Sequence, residues 1–336
     1  MKKLIAIFMA ALMLTGLLSG CMGTTVVIGQ CTCGTQTEPT PNQPVEGAVK
    51  TGLAIVGSTG KSADGKADFD VSIVGVLVDD NGVIVSCIID SVGTSVAFDA
   101  SGITTDLTVV PVTKNELGDS YMMTSGSWKQ QAAALAAFAV GKTVEELKNG
   151  ALDASGKAPA GTDLASSASI YLGGYVSAIE KAVDNATHLG AQAGDVLKMA
   201  TTSSLGSSKP ATAEKYGTAQ LDVDVAVITM NGDVITSCLL DALQAKVSFS
   251  TEGKIVGDVT AEQMTKNELG DNYMMTSGSW KQQAGALAAY ATGKTVEELK
   301  NGAIDASGKA PVGTDLASSA SIYLGGYVQN IEKAAK

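Results

Sequence analysis

The 336-residue chain contains no arginine and only one histidine, His188. Without a guanidinium there is no planar fork to grip a phosphate through two parallel bonds. A phosphate-bearing ligand has to be held by lysines, hydroxyls, backbone N–H groups or a covalent bond. A lone histidine with no duplicate elsewhere in the chain excludes a repeated His-based triad and a His-ligated metal set. Aromatic residues make up 4% of the chain and charged residues 17%, so the core has to be built from aliphatic side chains. The net charge of −11 argues against nucleic acid as a partner and against an electrostatic grip on anionic lipid. Five cysteines are too few for a disulfide framework. Beyond Cys21 no apolar run approaches the ~20 residues of a membrane-spanning helix.

The N-terminus carries what the rest lacks. Lys2 and Lys3 precede a short apolar core, Leu4 to Leu18, and then Leu18-Ser19-Gly20-Cys21. This order resembles an export signal ending in the lipobox of bacterial lipoproteins. The resemblance implies cleavage after residue 20, diacylglycerol on the Cys21 thiol, and an extracytoplasmic protein held to the cell membrane by its lipid. Residues 21–50 include EPTPNQPVEG and read as a semi-extended tether. Cys31 and Cys33 form a C-x-C within it, with no further ligands nearby to complete a zinc site, leaving a loose redox pair or chance.

The dominant feature is a repeat. Residues 113–182 return as residues 265–334 with eight substitutions, among them Ala178 to Asn330 and Val140 to Thr292. The earlier part of each copy is far more diverged, yet VSIVGVLVDDNGVIVSCIIDS still answers VDVAVITMNGDVITSCLLDA. Such uneven similarity looks like recent exchange between the halves, so identity between copies does not by itself mark a functional site. The expected organisation is a signal (1–20), a tether (21–50), a first domain (51–186), a linker (187–215) and a second domain (216–336).

Each copy reads as strands followed by helices, an α+β class. Val71–Val78 and Val83–Asp90 flank an Asn81-Gly82 turn and predict a hairpin, repeated around Asn231-Gly232. Ser127 with Gln130, and Thr143 with Glu146, are spaced as capping boxes of two helices. Gly174 to Ala182 predicts a closing amphipathic helix with Tyr175, Ala178, Ile179 and Ala182 on one face. Cys87 and Cys238 fall inside apolar strand-like runs and read as small buried hydrophobes. Gly141-Lys142-Thr143 imitates the end of a P-loop, but Ala136 stands where that motif needs glycine. Trp128 and Trp280, beside an ELGD-x-YMMTSGSW loop, are either a platform for a planar ligand or core residues.

Asp163, Ser166 and Ser169, repeated as Asp315, Ser318 and Ser321, set a carboxylate and small hydroxyls at fixed spacing ahead of the closing helix. Alone, this reads as a capped loop. The stretch DLASSASIYLGGYVSAIEKA is similar to the end of the FMN-binding domain family, whose pattern is an Asp, then Ser-Gly-Ala-Thr, then an A-[VI]-x-x-A helix; the opening hairpin is similar too. In that family the last Thr is esterified to the phosphate of FMN by a flavin transferase. The resemblance therefore implies covalent FMN on Ser169 and Ser321, with Asp163, Asp315, Ser166 and Ser318 completing the motif. It departs from the family in Ser167 and Ser319, which replace Gly, and in serine at the acceptor. The function implied is a non-enzymatic electron carrier between a membrane dehydrogenase and an external acceptor. The alternative is a surface binding or structural module that keeps the fold without flavin.

Overall fold

The structure is a computed structural model and describes residues 47–336. The signal, Cys21, Cys31, Cys33 and the tether through residue 46 lie outside the described residues.

The first repeat opens with β1 (Lys50–Ser58), β2 (Lys66–Val78), β3 (Ile84–Asp99) and β4 (Gly102–Ile103), an antiparallel sheet in sequence order. The predicted hairpin is there, and longer: β2 starts five residues earlier, and β3 runs on to Asp99. Asp79 Oδ1 fixes its turn by accepting from the N–H groups of Asn81 and Val83 at 2.9 and 2.8 Å.

A short helix α1 (Lys114–Leu117) and a two-residue ribbon, β5 (Met122–Met123) with β6 (Gly126–Ser127), lead to α2 (Trp128–Ala139). Ser127 and Gln130 cap α2 reciprocally, and Thr143 and Glu146 do so for α3 (Val144–Ala151). The serine-rich stretch expected as a loop forms a helix of its own, α4 (Asp163–Ser167), because Thr162 caps it. The closing helix α5 (Gly173–Asp184) buries Val176, Ala178, Ile179 and Ala182.

The second repeat follows the same order: β7 (Val196–Ser204), β8 (Gly217–Asn231), β9 (Val234–Phe249), β10 (Ile255–Val256), α6 (Lys266–Leu269), β11 (Met274–Met275), β12 (Gly278–Ser279), α7 (Trp280–Ala291), α8 (Val296–Ala303), α9 (Asp315–Ser319) and α10 (Gly325–Ala335). The segment expected as a linker, 187–215, is corrected here. It contains β7, the counterpart of β1 and an outer strand of the second sheet.

The described residues cluster as one compact unit. The reason lies in the strands. Along β2, Phe69, Val71, Ile73 and Leu77 point one way and Val74, Val76 and Val78 the other, and both sets are buried. A strand apolar on both faces has to be covered on both. The outer face packs on α2, α3 and α5. The inner face meets the inner face of the second sheet, where Leu221, Val223, Val225 and Val227 complete a core drawn from both repeats. The second sheet's outer face packs on α7, α8 and α10. The result is four layers: helices, sheet, sheet, helices.

The repeats meet as pseudo-twofold partners. Lys181 pairs with Glu268, and its counterpart Lys333 pairs with Glu116, so each ion pair crosses between repeats. Thr51 Oγ1 lies 2.8 Å from Ser237 Oγ in the buried junction. Gly75 lets the sheets close up, since a Cβ there would stand 3.1 Å from Val227 Cγ2 and 3.4 Å from Met199 Sδ. His188 lies at the edge of this junction, with Nε2 2.9 Å from Asp80 Oδ1.

Candidate functional site

The serine stretch owes its shape to short-range capping. Thr162 Oγ1 accepts from Ala165 N–H at 3.2 Å and starts α4. Asp163 is exposed in the first turn, where a carboxylate complements the positive helix end. Ser166 Oγ donates back to Thr162 O at 3.4 Å, and Ser167 Oγ to Asp163 O at 3.1 Å.

Ser169 lies just past the helix. Its N–H and Oγ–H both donate to Gln131 Oε1, at 2.7 and 3.2 Å, and Ile170 N–H donates to the same oxygen at 3.1 Å. Gln131 is wholly buried on α2, and its amide donates to Gly126 O at 3.2 Å. The second repeat reproduces the arrangement, with Gln283 Oε1 accepting from Ser321 N–H, Ser321 Oγ–H and Ile322 N–H. The structure thus joins each candidate serine to a glutamine on the preceding long helix. It links neither to its motif acid: among the described residues no hydrogen bond connects Asp163 or Ser166 with Ser169. Ser169 is half-buried and Ser321 exposed.

Two residues on, Tyr171 and Tyr323 are exposed and lie flat on glycines. A Cβ on Gly156 would stand 2.4 Å from the Tyr171 ring, and one on Gly308 would stand 2.2 Å from the Tyr323 ring.

A second constellation surrounds the tryptophans. Trp128 is buried against Tyr175, ring centroids 5.7 Å apart, and Trp280 stands in the same edge-on relation to Tyr327. They are core residues. The neighbouring methionines are not, since Met122 is 61% exposed and Met274 also 61%. Lys114 Nζ sits 5.3 Å from the Trp128 ring centre and 5.9 Å from that of Tyr121; Lys266 Nζ sits 5.1 Å from Trp280 and 5.5 Å from Tyr273.

The second repeat adds a carboxylate beside its lysine that the first repeat lacks. Asp224, where the first repeat has Ser72, is pushed up to about 6 by burial, against the pull of Lys266. Burial also lowers the Lys266 amine from its ordinary value, although Asp224, Asp222 and Asp241 draw it back up. Asp241, at the repeat junction, is likewise raised by burial to about 6 despite bonds from Thr265, Asn267 and Ala242. Cys87 and Cys238 are pushed up to about 12 by burial, which makes them poor nucleophiles.

Several clefts among the described residues lie away from the serines. Matching hollows at the junction are lined by Lys181, Asp241, Asn267 and Glu268 (about 380 Å³) and by Lys333, Asp90, Asn115 and Glu116 (about 190 Å³). A further cleft of about 300 Å³ opens beside Lys114 in the first repeat.

Gln131, Gln283, Lys114 and Lys266 went unnoticed in the sequence. A glutamine following a capping glutamine on an alanine-rich helix looks like its solvent face, and the one available signal was the adjacent Gln130-Gln131 pair. Neither a scan against protein-family models nor searches of curated proteins and of solved structures finds a match to this chain.

Proposed function

We propose that the chain is a lipid-anchored extracytoplasmic flavoprotein, with FMN esterified through Ser169 Oγ and Ser321 Oγ, that passes electrons between a membrane dehydrogenase and an external acceptor. One observation carries this reading. Each serine is at least partly exposed, yet its backbone is pinned by a buried glutamine. Replacing the Oγ–H by a phosphoester leaves Gln131 Oε1 with two backbone N–H donors, so esterification orphans no buried group. FMN, when bound, supplies the reversible uptake of electrons. The chain's own part is to hold the phosphate end at a fixed point just past α4 and α9. A separate flavin transferase would form the bond.

The two serine stretches belong to opposite outer layers, with two sheets about 10 Å apart between them. Each flavin would therefore meet its partner on its own face, as one of two separately reached carriers, instead of passing electrons straight to the other.

Chain matured with a flavin transferase should retain yellow fluorescence through a denaturing gel, and Ser169→Ala with Ser321→Ala should abolish it. Cys21→Ser should release the protein from the membrane fraction. A colourless protein from its native membrane would sink the proposal. The position of the clefts favours a second reading, a binding module without flavin, and intact mass with unmodified peptides over both serines would select it.

A further inference from the structure

The first repeat has an open cleft where the second repeat has a side chain. The cleft beside Lys114 is lined by Asp70, Gly93, Thr94, Lys114, Leu117 and Tyr121, among others. Gly93 stands directly across the ladder from Asp70. In the second repeat the equivalent cross-strand pair is Asp222 with Gln244. The Gln244 side chain lies between the counterparts of Tyr121 and Asp70: its Oε1 accepts from Tyr273 OH at 3.2 Å, and its Nε2 donates to Asp222 Oδ1 at 3.2 Å.

The aromatic frame of the two sites agrees, although the second repeat has Asp224 and Gln220 where the first has Ser72 and Asp68. Lysine, tyrosine and tryptophan are stacked alike in both, with Lys114 and Lys266 over their aromatic rings. Within that frame the occupant differs. Tyr121 is 39% exposed, whereas its counterpart Tyr273 is half-buried under Gln244. The second repeat thus carries its own ligand on a tether, and that ligand shows the chemistry the frame accepts.

The geometry points to a small-molecule site in the first repeat, between Asp70 and Tyr121, that takes a primary carboxamide on a short aliphatic stem. An ionised carboxylate only accepts hydrogen bonds, so the amide nitrogen has to face Asp70, and the carbonyl then faces the Tyr121 hydroxyl. Asp70 keeps two lysines nearby, with Lys61 Nζ at 3.2 Å and Lys114 Nζ at 3.8 Å. A ligand carboxylate in the same pose would press an oxygen against Asp70 with no donor between them. The inference stands apart from the flavin proposal, since it uses none of the serine residues.

Propionamide, which is the glutamine side chain alone, is the direct probe. Amide resonances of Gly93, Thr94 and Tyr121 in the unacylated full chain should shift saturably, with an affinity about millimolar for so few atoms. Propionate should bind at least about tenfold more weakly, because a buried polar contact is lost. Gly93→Gln should fill the cleft and abolish the shifts while the chain keeps its melting transition; Gly93 has no left-handed backbone, and a Cβ there meets only Lys114 Cε at 4.0 Å. Gln244→Gly should create a second site, seen at Tyr273. Free L-glutamine and an acetyl-Gly-Gln-Gly N-methylamide peptide separate a metabolite from a peptide source. Absence of saturable shifts with propionamide, equal binding of propionate, or an unchanged response in Gly93→Gln would each overturn the assignment.

Discussion

Phe98 and Phe249 stack face to face, ring centroids 4.0 Å apart and planes within 10°. They are equivalent residues, each near the end of the third strand of its repeat, so the stack marks where the pseudo-twofold joins the halves. Phe98→Ala leaves a cavity in the shared core and is expected to cost about 3–5 kcal/mol. Because the core belongs to both repeats, Trp128 and Trp280 fluorescence in a urea titration should still report a single transition at a lower midpoint. Two separated transitions would show that the helix layers unfold independently.

Gln131 is the partner of the Ser169 backbone N–H, at 2.7 Å. Gln131→Leu keeps the volume but orphans two N–H groups, for a loss of about 1–3 kcal/mol. Ser169→Ala removes one bond of three and should cost less. A larger loss for Ser169→Ala than for Gln131→Leu, in paired denaturation curves, would contradict this hierarchy.

Burial raises Asp224 and Asp241 to about 6 in the fold, whereas the unfolded chain releases those protons near pH 4. The fold holds protons that the unfolded chain has lost, so stability should fall as pH rises from about 4 to about 6 and stay at the lower level above. Asp241, nearly inaccessible to solvent, should account for roughly 2–3 kcal/mol of the drop. Glu116 and Glu268 act oppositely. Burial disfavours their charge, but Lys333 and Lys181 with the Thr113 and Thr265 groups hold them below the ordinary glutamate value. Their contribution is lost as pH falls through that lowered range. Melting temperature should therefore peak near pH 4, and Asp224→Ser, which copies Ser72, should flatten its alkaline limb.

Gly52 lets α5 dock on β1. A Cβ there would stand 2.0 Å from Ala182 O and 2.9 Å from Val76 Cγ2, so Gly52→Ala should destabilise by about 1–3 kcal/mol through overpacking. The second repeat has Lys198 at this position, its Nζ reaching Ala335 O at 2.6 Å. Lys198→Ala should be tolerated far better, a contrast that thermal melts would show directly.

The helices were legible because their start signals are local. Thr143 with Glu146 and Ser127 with Gln130 bond within four residues, and the structure keeps both boxes. The same signal at Thr113 with Glu116 was available and marks α1. Strands β1 and β7 were missed because their cover is remote: KTGLAIVGS and VLKMATTSS have no clean alternation, and their pairing partners lie tens of residues away. The doubly apolar β2 announced that both its faces are covered, but nothing in one dimension says that the second cover is the other repeat. Of the candidate site, the serines and their capping threonines were visible. Gln131 was not, since its partner lies 38 residues along the chain.

In a dimer of identical chains, every residue near the axis has to suit its own copy on the other side. Here the axis runs within one polypeptide, and that condition is lifted. Phe98 and Phe249 keep the symmetric bargain, while Ser72 and Asp224, Gly52 and Lys198, and Gly93 and Gln244 abandon it. A single gene thus gains the freedom of a heterodimer: one half can turn into scaffold while the other keeps an open door.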